Sequence, residues 1–285
     1  MTIFVRPIEA GDLPDAGRIC HEAFTTIAAE HNFASDHPDP AVATALLSRL
    51  ATHPDIYGVV AEIDGRVVGS NFVDERSPIT GLGPVTVDST AQNKGVGTAL
   101  MIHMLDRAAS KQRAGVRLVQ AGYHSRSLCL YTKLGFSVRE YLVNLQGMPP
   151  GMAISGCTVR RATLDDTEAA ITVCREVHAH DRSGEFRDAV AAGTATLVER
   201  GGRITGYATH VGWAGHAVGM ANDDVKALIA AAPSFTGSGF LLPSRNSELF
   251  RWCLDHGLRM AKAMVLMSIG LYNEPRGAYL PSVVY

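Results

Sequence analysis

The feature that most constrains the fold is that the chain repeats itself. Val5-Arg6 is followed by Asp12, and Val159-Arg160 by Asp166 at the same spacing. Glu62-Ile63-Asp64-Gly65-Arg66-Val67-Val68-Gly69 and Glu199-Arg200-Gly201-Gly202-Arg203-Ile204-Thr205-Gly206 both read E-x-x-G-R-(V/I)-x-G. Leu134-Gly135-Phe136 and His256-Gly257-Leu258 each end a helical pattern on glycine. Their common order implies two copies of one supersecondary unit. Gly147-Met148-Pro149-Pro150-Gly151, continuing through Ser155-Gly156, separates the copies with residues that stop helix and strand alike. The chain of 285 residues divides on this reading into a unit at 1–147, a linker at 148–157 and a second unit at 158–285.

Periodicity within the first unit gives a strand at 3–6, then a helix capped by Asp12 that runs to about Phe24. A second helix covers Ala41–Leu50. Val59–Ile63 and Val67–Phe72 flank Asp64-Gly65, a favoured two-residue hairpin turn. Val85-Thr86-Val87 reads as a buried strand. Val96, Leu100, Met104 and Ala108 recur at i+4 steps and mark one face of a helix from about Gly95. The apolar strand Val116–Ala121 follows, then a short helix at Ser127–Leu134 closed by Gly135, and a strand at Phe136–Leu145. The order predicts a mixed, twisted α/β sheet flanked by helices in each unit.

Bulk properties narrow the partners. A net charge of −2 without any Lys/Arg-rich run argues against nucleic acid. No apolar stretch nears the ~20 residues of a membrane span, and the first residues lack a signal-peptide pattern. Five scattered cysteines without C-x-x-C suit reduced thiols in the cytoplasm. His178 and His180 are two apart on an expected helix and make a poor metal pair, so no metal site is expected. No G-x-S-x-G is present for a serine hydrolase. Trp213 and Trp252, with no basic groove beside them, read as core.

The chemistry concentrates in Val85-Thr86-Val87-Asp88-Ser89-Thr90-Ala91-Gln92-Asn93-Lys94-Gly95-Val96-Gly97-Thr98. A strand ends, a polar turn follows, and a glycine-containing turn opens a helix. The first helical turn offers unpartnered N–H groups and partial positive charge, which suit phosphate oxygens. Gly95 and Gly97 permit close approach to the backbone, and Lys94 adds a cation. A P-loop would need G-x-x-x-x-G-K-(S/T), which is absent. A Rossmann fingerprint would need a third glycine where Leu100 stands.

Gln92-Asn93-Lys94-Gly95-Val96-Gly97 fits the (Q/R)-x-x-G-x-(G/A) signature of the GCN5-related N-acetyltransferase (GNAT) family, and Leu130-Tyr131-Thr132-Lys133-Leu134-Gly135-Phe136 fits its second, L-Y-x-K-L-G-F. The chain resembles that family over about residues 3–146, with a fainter echo in 158–270. The resemblance implies two tandem GNAT-like domains, the first catalytic. It implies acetyl-CoA as co-substrate, its pyrophosphate on the amides of Gln92, Asn93, Lys94, Gly95, Val96, Gly97 and Thr98. The pantetheine arm would lie beside Val85, Thr86 and Val87, with a backbone N–H there polarising the acetyl carbonyl. An acceptor amine would attack directly, and Tyr131 would return a proton to the departing thiolate. The family has Asn where His124 stands and often Ala where Ser127 stands. Both residues share a helical face with Tyr131 and are expected near the cofactor.

The expected activity is acetyl transfer to a primary amine of a small molecule or peptide. The alternative is a non-catalytic acyl-CoA sensor. Asp74-Glu75-Arg76, ending the third strand, is the candidate for substrate binding and a base or water relay, with Glu75 as the base, or else a solvated turn. His31, in a polar stretch, is a candidate substrate contact or a plain surface histidine. In the second unit the phosphate loop is replaced by Gly219-Met220-Ala221-Asn222-Asp223-Asp224-Val225-Lys226, whose aspartates repel a pyrophosphate. Cys253 takes the place of Tyr131. The second unit therefore reads as a degenerate copy that serves packing or homodimerisation, or that walls the substrate cleft through Glu274–Tyr279 and the end at Tyr285.

Overall fold

The computed structural model describes residues 2–284. The first half runs β1 (Phe4–Pro7), α1 (Leu13–Glu30), α2 (Pro40–Thr52), β2 (Ile56–Ile63), β3 (Arg66–Asp74), β4 (Ile79–Leu82), β5 (Thr86–Val87), α3 (Val96–Ser110), β6 (Gly115–Ala121), α4 (Ser125–Lys133) and β7 (Ser137–Gln146). The second half repeats the order: β8 (Cys157–Arg161), α5 (Thr167–His178), α6 (Ser183–Ala191), β9 (Thr196–Arg200), β10 (Arg203–Ala208), β11 (Ala217–Gly219), α7 (Asn222–Ala231), β12 (Phe240–Pro243), α8 (Ser247–Asp255), β13 (Arg259–Gly270) and β14 (Ala278–Leu280). The strand β4 was not legible in the sequence, because Gly81, Gly83 and Pro84 break its apolar run.

The repeated residues do the same physical work in both halves. Arg6 pairs with Asp12 at 2.7 Å and hydrogen-bonds Glu62 at 3.0 Å. Arg160 pairs with Asp166 at 2.7 Å and Glu199 at 2.7 Å. Each guanidinium thereby ties its first strand to the following turn and to the neighbouring strand. Asp12 accepts the Glu9 N–H at 2.8 Å and makes no side-chain cap to α1, so it closes the short turn before the helix instead of the helix itself. Asp64 and Gly65 have φ of 51° and 75°, the left-handed pair that a tight β2–β3 hairpin requires.

The sheets do not respect the division at 148–157. One nine-stranded sheet runs β1-β2-β3-β4-β6-β13-β7-β12, with β5 pairing β3, and the other runs β14-β11-β10-β9-β8. β13, from the second half, lies between β6 and β7 of the first, antiparallel to both. Reciprocally, β7 lies between β13 and β12. The exchange extends to the cores. Val265 and Met267 of β13 pack with Leu100, Leu118 and Tyr131 of the first half. Val143 and Leu145 of β7 pack with Phe240, Leu249 and Cys253 of the second. α1 and α2 cover the opposite face of the first half through Ala16, Cys20, Ala43, Leu47 and Phe72.

Burying a side chain such as Val265 or Met267 is worth about 1.5–3 kcal/mol, and a domain's whole margin is about 5–15 kcal/mol. The fragment 1–147, expressed alone, also loses both ladders to β13. It is expected to be aggregated or unfolded by circular dichroism and gel filtration, and to be rescued by co-expression with 148–285. A soluble, cooperatively melting 1–147 would contradict the reciprocal core.

Candidate functional site

β4 and β6 pair in parallel from Ile79↔Gly115 to Gly81↔Arg117 and no further. Beyond that point the strands part. A cavity of about 180 Å³ opens there, lined by Leu82–Val85 on one side and Leu118–Ala121 on the other. Its wall also includes Tyr123, His124, Ser127 and Tyr131 from α4 and the residues just before it, and Phe24, Ile27, Asp36 and His37 from α1 and the segment after it. Trp213, Ala214, Met264, Val283 and Val284 come from the second half.

α3 opens beside this cleft. Gly95 is its N-cap at φ 89°, and Asn93 also takes a positive φ of 61°. These conformations turn the exposed loop 93–95 so that the first-turn N–H groups of Val96, Gly97 and Thr98, which have no helical partner, end the element. A side chain at Gly97 would meet Leu130 and Val87 only at ordinary contact distances of 3.5 and 3.7 Å. Gly97 therefore lies next to both β5 and α4. Gln92 reaches back with its amide to the Val87 carbonyl at 3.5 Å. Lys94 is exposed. Thr86 is buried and hydrogen-bonded to Ser70 at 3.0 Å, which anchors β5 against β3.

His124 is the N-cap of α4, and its Nδ1 accepts the Ser127 N–H at 3.1 Å. In the neutral ring the proton then sits on Nε2, 3.3 Å from the Ser127 hydroxyl. Burial, aided by Arg126, lowers the imidazole pKa and favours that neutral form. Tyr131 follows one turn after Ser127. Its carbonyl accepts the Phe136 N–H at 3.0 Å, while Gly135 at φ 96° donates to Thr132 at 3.0 Å. This paired closure of a helix end fixes Tyr131 from behind. Burial pushes its phenol up to about 12, against a smaller opposing pull from the Ser127 hydroxyl.

Several expected residues lie elsewhere. Burial alone would raise Glu75, but Arg107 at 2.8 Å and Lys111 at 2.7 Å outweigh it and hold the carboxylate low. Glu75 is outside the cavity wall and is spent on α3, so it is not positioned as a base. Asp74 is hydrogen-bonded to Arg76 at 3.0 Å, and Arg76 pairs with Asp188 of α6 at 2.8 Å. Asp74 and Arg76 border a separate void of about 10 Å³, room for at most one water. Neither Asp74 nor Arg76 lines the larger cavity. His31 is exposed and stacks on Tyr123 with ring centres 5.0 Å apart, so it backs the wall without lining it. Glu274–Tyr279 do not line the cavity, and Tyr285 lies outside the described residues.

Residues that the sequence did not single out complete the site. Lys262 of β13 binds both Asp36 oxygens at 2.6 Å and lies 5.0 Å from the Trp213 ring centre. A strand from one half thus pins the 31–39 segment of the other. Trp213, expected as plain core, is a wall residue. Its loop is held by Trp213 N–H to Thr236 at 2.9 Å and by Val283 N–H to Trp213 at 2.9 Å. Nothing local in the sequence marks these residues, since they converge only through the strand exchange.

The corresponding place in the second half is closed by the chain itself. Asp224, fully buried, accepts the Ala221 N–H at 2.9 Å and the Thr205 hydroxyl at 2.7 Å, so the N-terminus of α7 already holds an anion. β14 pairs with β11 through Val218↔Tyr279 and packs beside β12, filling the gap that stays open between β4 and β6. Among the described residues, no group of three or more His, Cys, Asp or Glu is placed to hold a metal, and no helix is long and apolar enough to cross a membrane.

Residues 54–138 match the acetyltransferase (GNAT) domain family. A mycothiol acetyltransferase of Tsukamurella paurometabola is 38% identical over 82 residues, 28% of this chain and 28% of that protein. The L-amino acid N-acetyltransferase AaaT of Escherichia coli is 34% identical over 96 residues, 32% of this chain and 59% of that protein. The chain thus spans less than two thirds of either relative's length. Two solved structures share the fold along nearly the whole chain. One, an inferred acetyltransferase of Pyrococcus horikoshii, has a TM-score of 0.73 at 16% identity, covering 99% of this chain and 92% of that one. The other, a GCN5-related N-acetyltransferase of Sphaerobacter thermophilus, has a TM-score of 0.58 at 14% identity, covering 95% and 96%. The match to the GNAT domain thus lies on the strands, loop and helix that build the cleft.

Proposed function

We propose that this protein transfers an acetyl group from acetyl-CoA to a primary amine of a small molecule or peptide. The observation that carries this reading is that β4 and β6 part into a cavity walled by Tyr131, with the opening turn of α3 beside it. In this reading the pyrophosphate sits on the amides from Gln92 to Thr98, where the loop geometry leaves N–H groups unpartnered. The arm runs along Val85–Val87 as an added strand. The thioester then reaches the cavity at Tyr131.

The amine nitrogen attacks the carbonyl carbon, and the carbon–sulfur bond breaks with its electron pair left on sulfur. The Tyr131 hydroxyl gives its proton to that thiolate, and the surplus proton on the new amide nitrogen returns to the phenolate. Proton donation of this kind contributes about 10²–10⁴-fold to a rate. The first half supplies the donor site, and the second half supplies acceptor walls at Trp213, Val283 and Val284. Phe24, Ile27 and these walls favour an acceptor with an apolar body.

Gly97→Glu adds a carboxylate at the pyrophosphate position without the backbone strain that Gly95, at φ 89°, would suffer. Acetyl-CoA affinity by calorimetry is expected to be lost with the melting temperature nearly unchanged. Undiminished affinity would remove the phosphate loop from the reading. Tyr131→Phe is expected to lower kcat by about 10²-fold or more with acetyl-CoA affinity retained. Since burial holds the phenol at about 12, the wild type keeps its proton donor through any ordinary assay range. An alkaline limb near ~10, the value of an exposed tyrosine, would show that the phenol is not enclosed as described. Thiol release with a panel of amines tests the activity itself, and tight acetyl-CoA binding without turnover on any amine would mark the protein as a sensor.

A further inference from the structure

Gln120 sits on β6 where that strand has parted from β4, and it lines the cavity. The residue is 6% exposed, and no group of the protein hydrogen-bonds to its Nε2 or its Oε1. Along β6, Val116 and Leu118 belong to the core that includes Tyr131. Side chains alternate along a strand, so Gln120 shares that face, while Val119 and Ala121 pack with the opposite cluster. Buried amides are almost always paired, and a carboxamide left with donor and acceptor both idle opposes folding. Hydrophobic residues precede it at this face, and an apolar side chain would fit the strand pattern better. Its presence there suits a partner that the folded chain does not itself provide.

The chemistry of the cavity indicates the partner. Acyl transfer brings together a carbonyl oxygen that gains negative charge and an amine that carries N–H groups. A carboxamide offers one donor edge and one acceptor edge and does not titrate. We propose that Gln120 is a substrate-binding residue of the transfer centre, its Nε2–H donating to the acetyl carbonyl oxygen and its Oε1 accepting from the acceptor amine. This assignment rests on the acetyl-transfer reading above. The donor edge strengthens as the oxyanion forms, so it acts on the transition state more than on binding. The acceptor edge holds the amine at the carbonyl carbon. Tyr131 then serves the leaving sulfur and Gln120 the addition.

The test is steady-state kinetics of Gln120→Leu and Gln120→Met with an amine that the wild type acetylates, together with acetyl-CoA calorimetry and thermal melting. The expected result is a kcat lowered about tenfold or more, with acetyl-CoA affinity within about twofold, an unchanged pH profile, and a melting temperature equal to or above the wild type's. A kcat equal to wild type in both variants, with transfer intact, overturns the Gln120 assignment alone. A fall in kcat matched by a lowered melting temperature in both variants shows a packing role and overturns it too. Failure of the wild type to acetylate any amine while binding acetyl-CoA overturns the transfer reading, and the assignment with it.

Discussion

Each half of this chain finishes its core with a strand from the other. β13 brings Val265 and Met267 under the helices of the first half, and β7 brings Val143 and Leu145 under those of the second. The pairing of β7 with β13, from Arg259↔Gln146 to Ser268↔Ser137, is the seam on which both depend. Remove it and β7 and β13 become open edges with half-exposed apolar faces. The other elements are arranged around this pair, and the cavity exists because β13 holds β6 on one side while β4 leaves it on the other.

The same seam explains the division of labour. The two halves share the matching Arg6–Asp12–Glu62 and Arg160–Asp166–Glu199 clusters. They also share a helix end, since Leu258 N–H to Cys253 at 3.0 Å reproduces Phe136 N–H to Tyr131. They differ at the gap between β4 and β6 and its counterpart in the second half. In the first half it is open and meets a bare helix N-terminus. In the second it holds β14 and the Asp224 carboxylate. A built-in strand and a built-in anion take the positions that a bound arm and its phosphates would need.

Much of this was legible in sequence because it is local. The hairpin at Asp64-Gly65, the loop at Gln92–Gly97, the helix end at Gly135 and the Asp224 block depend on residues within one turn or one hairpin. The base assignment to Glu75 failed for a longer-range reason: Arg107 and Lys111, a helix away, claim that carboxylate. Trp213, Lys262 and Val283 were invisible as site residues because no spacing within one unit predicts an exchange of strands between units. Gln120 was different. A glutamine inside the apolar run Val116–Ala121 was readable as an anomaly, and only the cavity gives it meaning.

The exchange of strands also sets an order of events in biosynthesis. β6 meets β13 through pairs such as Val119↔Leu266 and Gln120↔Val265, separated by about half the chain. Contacts so distant in sequence raise the entropy cost of loop closure and slow folding. The loop, helix and tyrosine of the first half leave the ribosome early, but they stay without a floor until residues 259–270 emerge. During that interval the nascent chain presents unpaired strand edges, the exposure that chaperones are built to cover. The cleft is therefore a late product of translation, although every group thought to hold the cofactor is encoded in the first half of the chain.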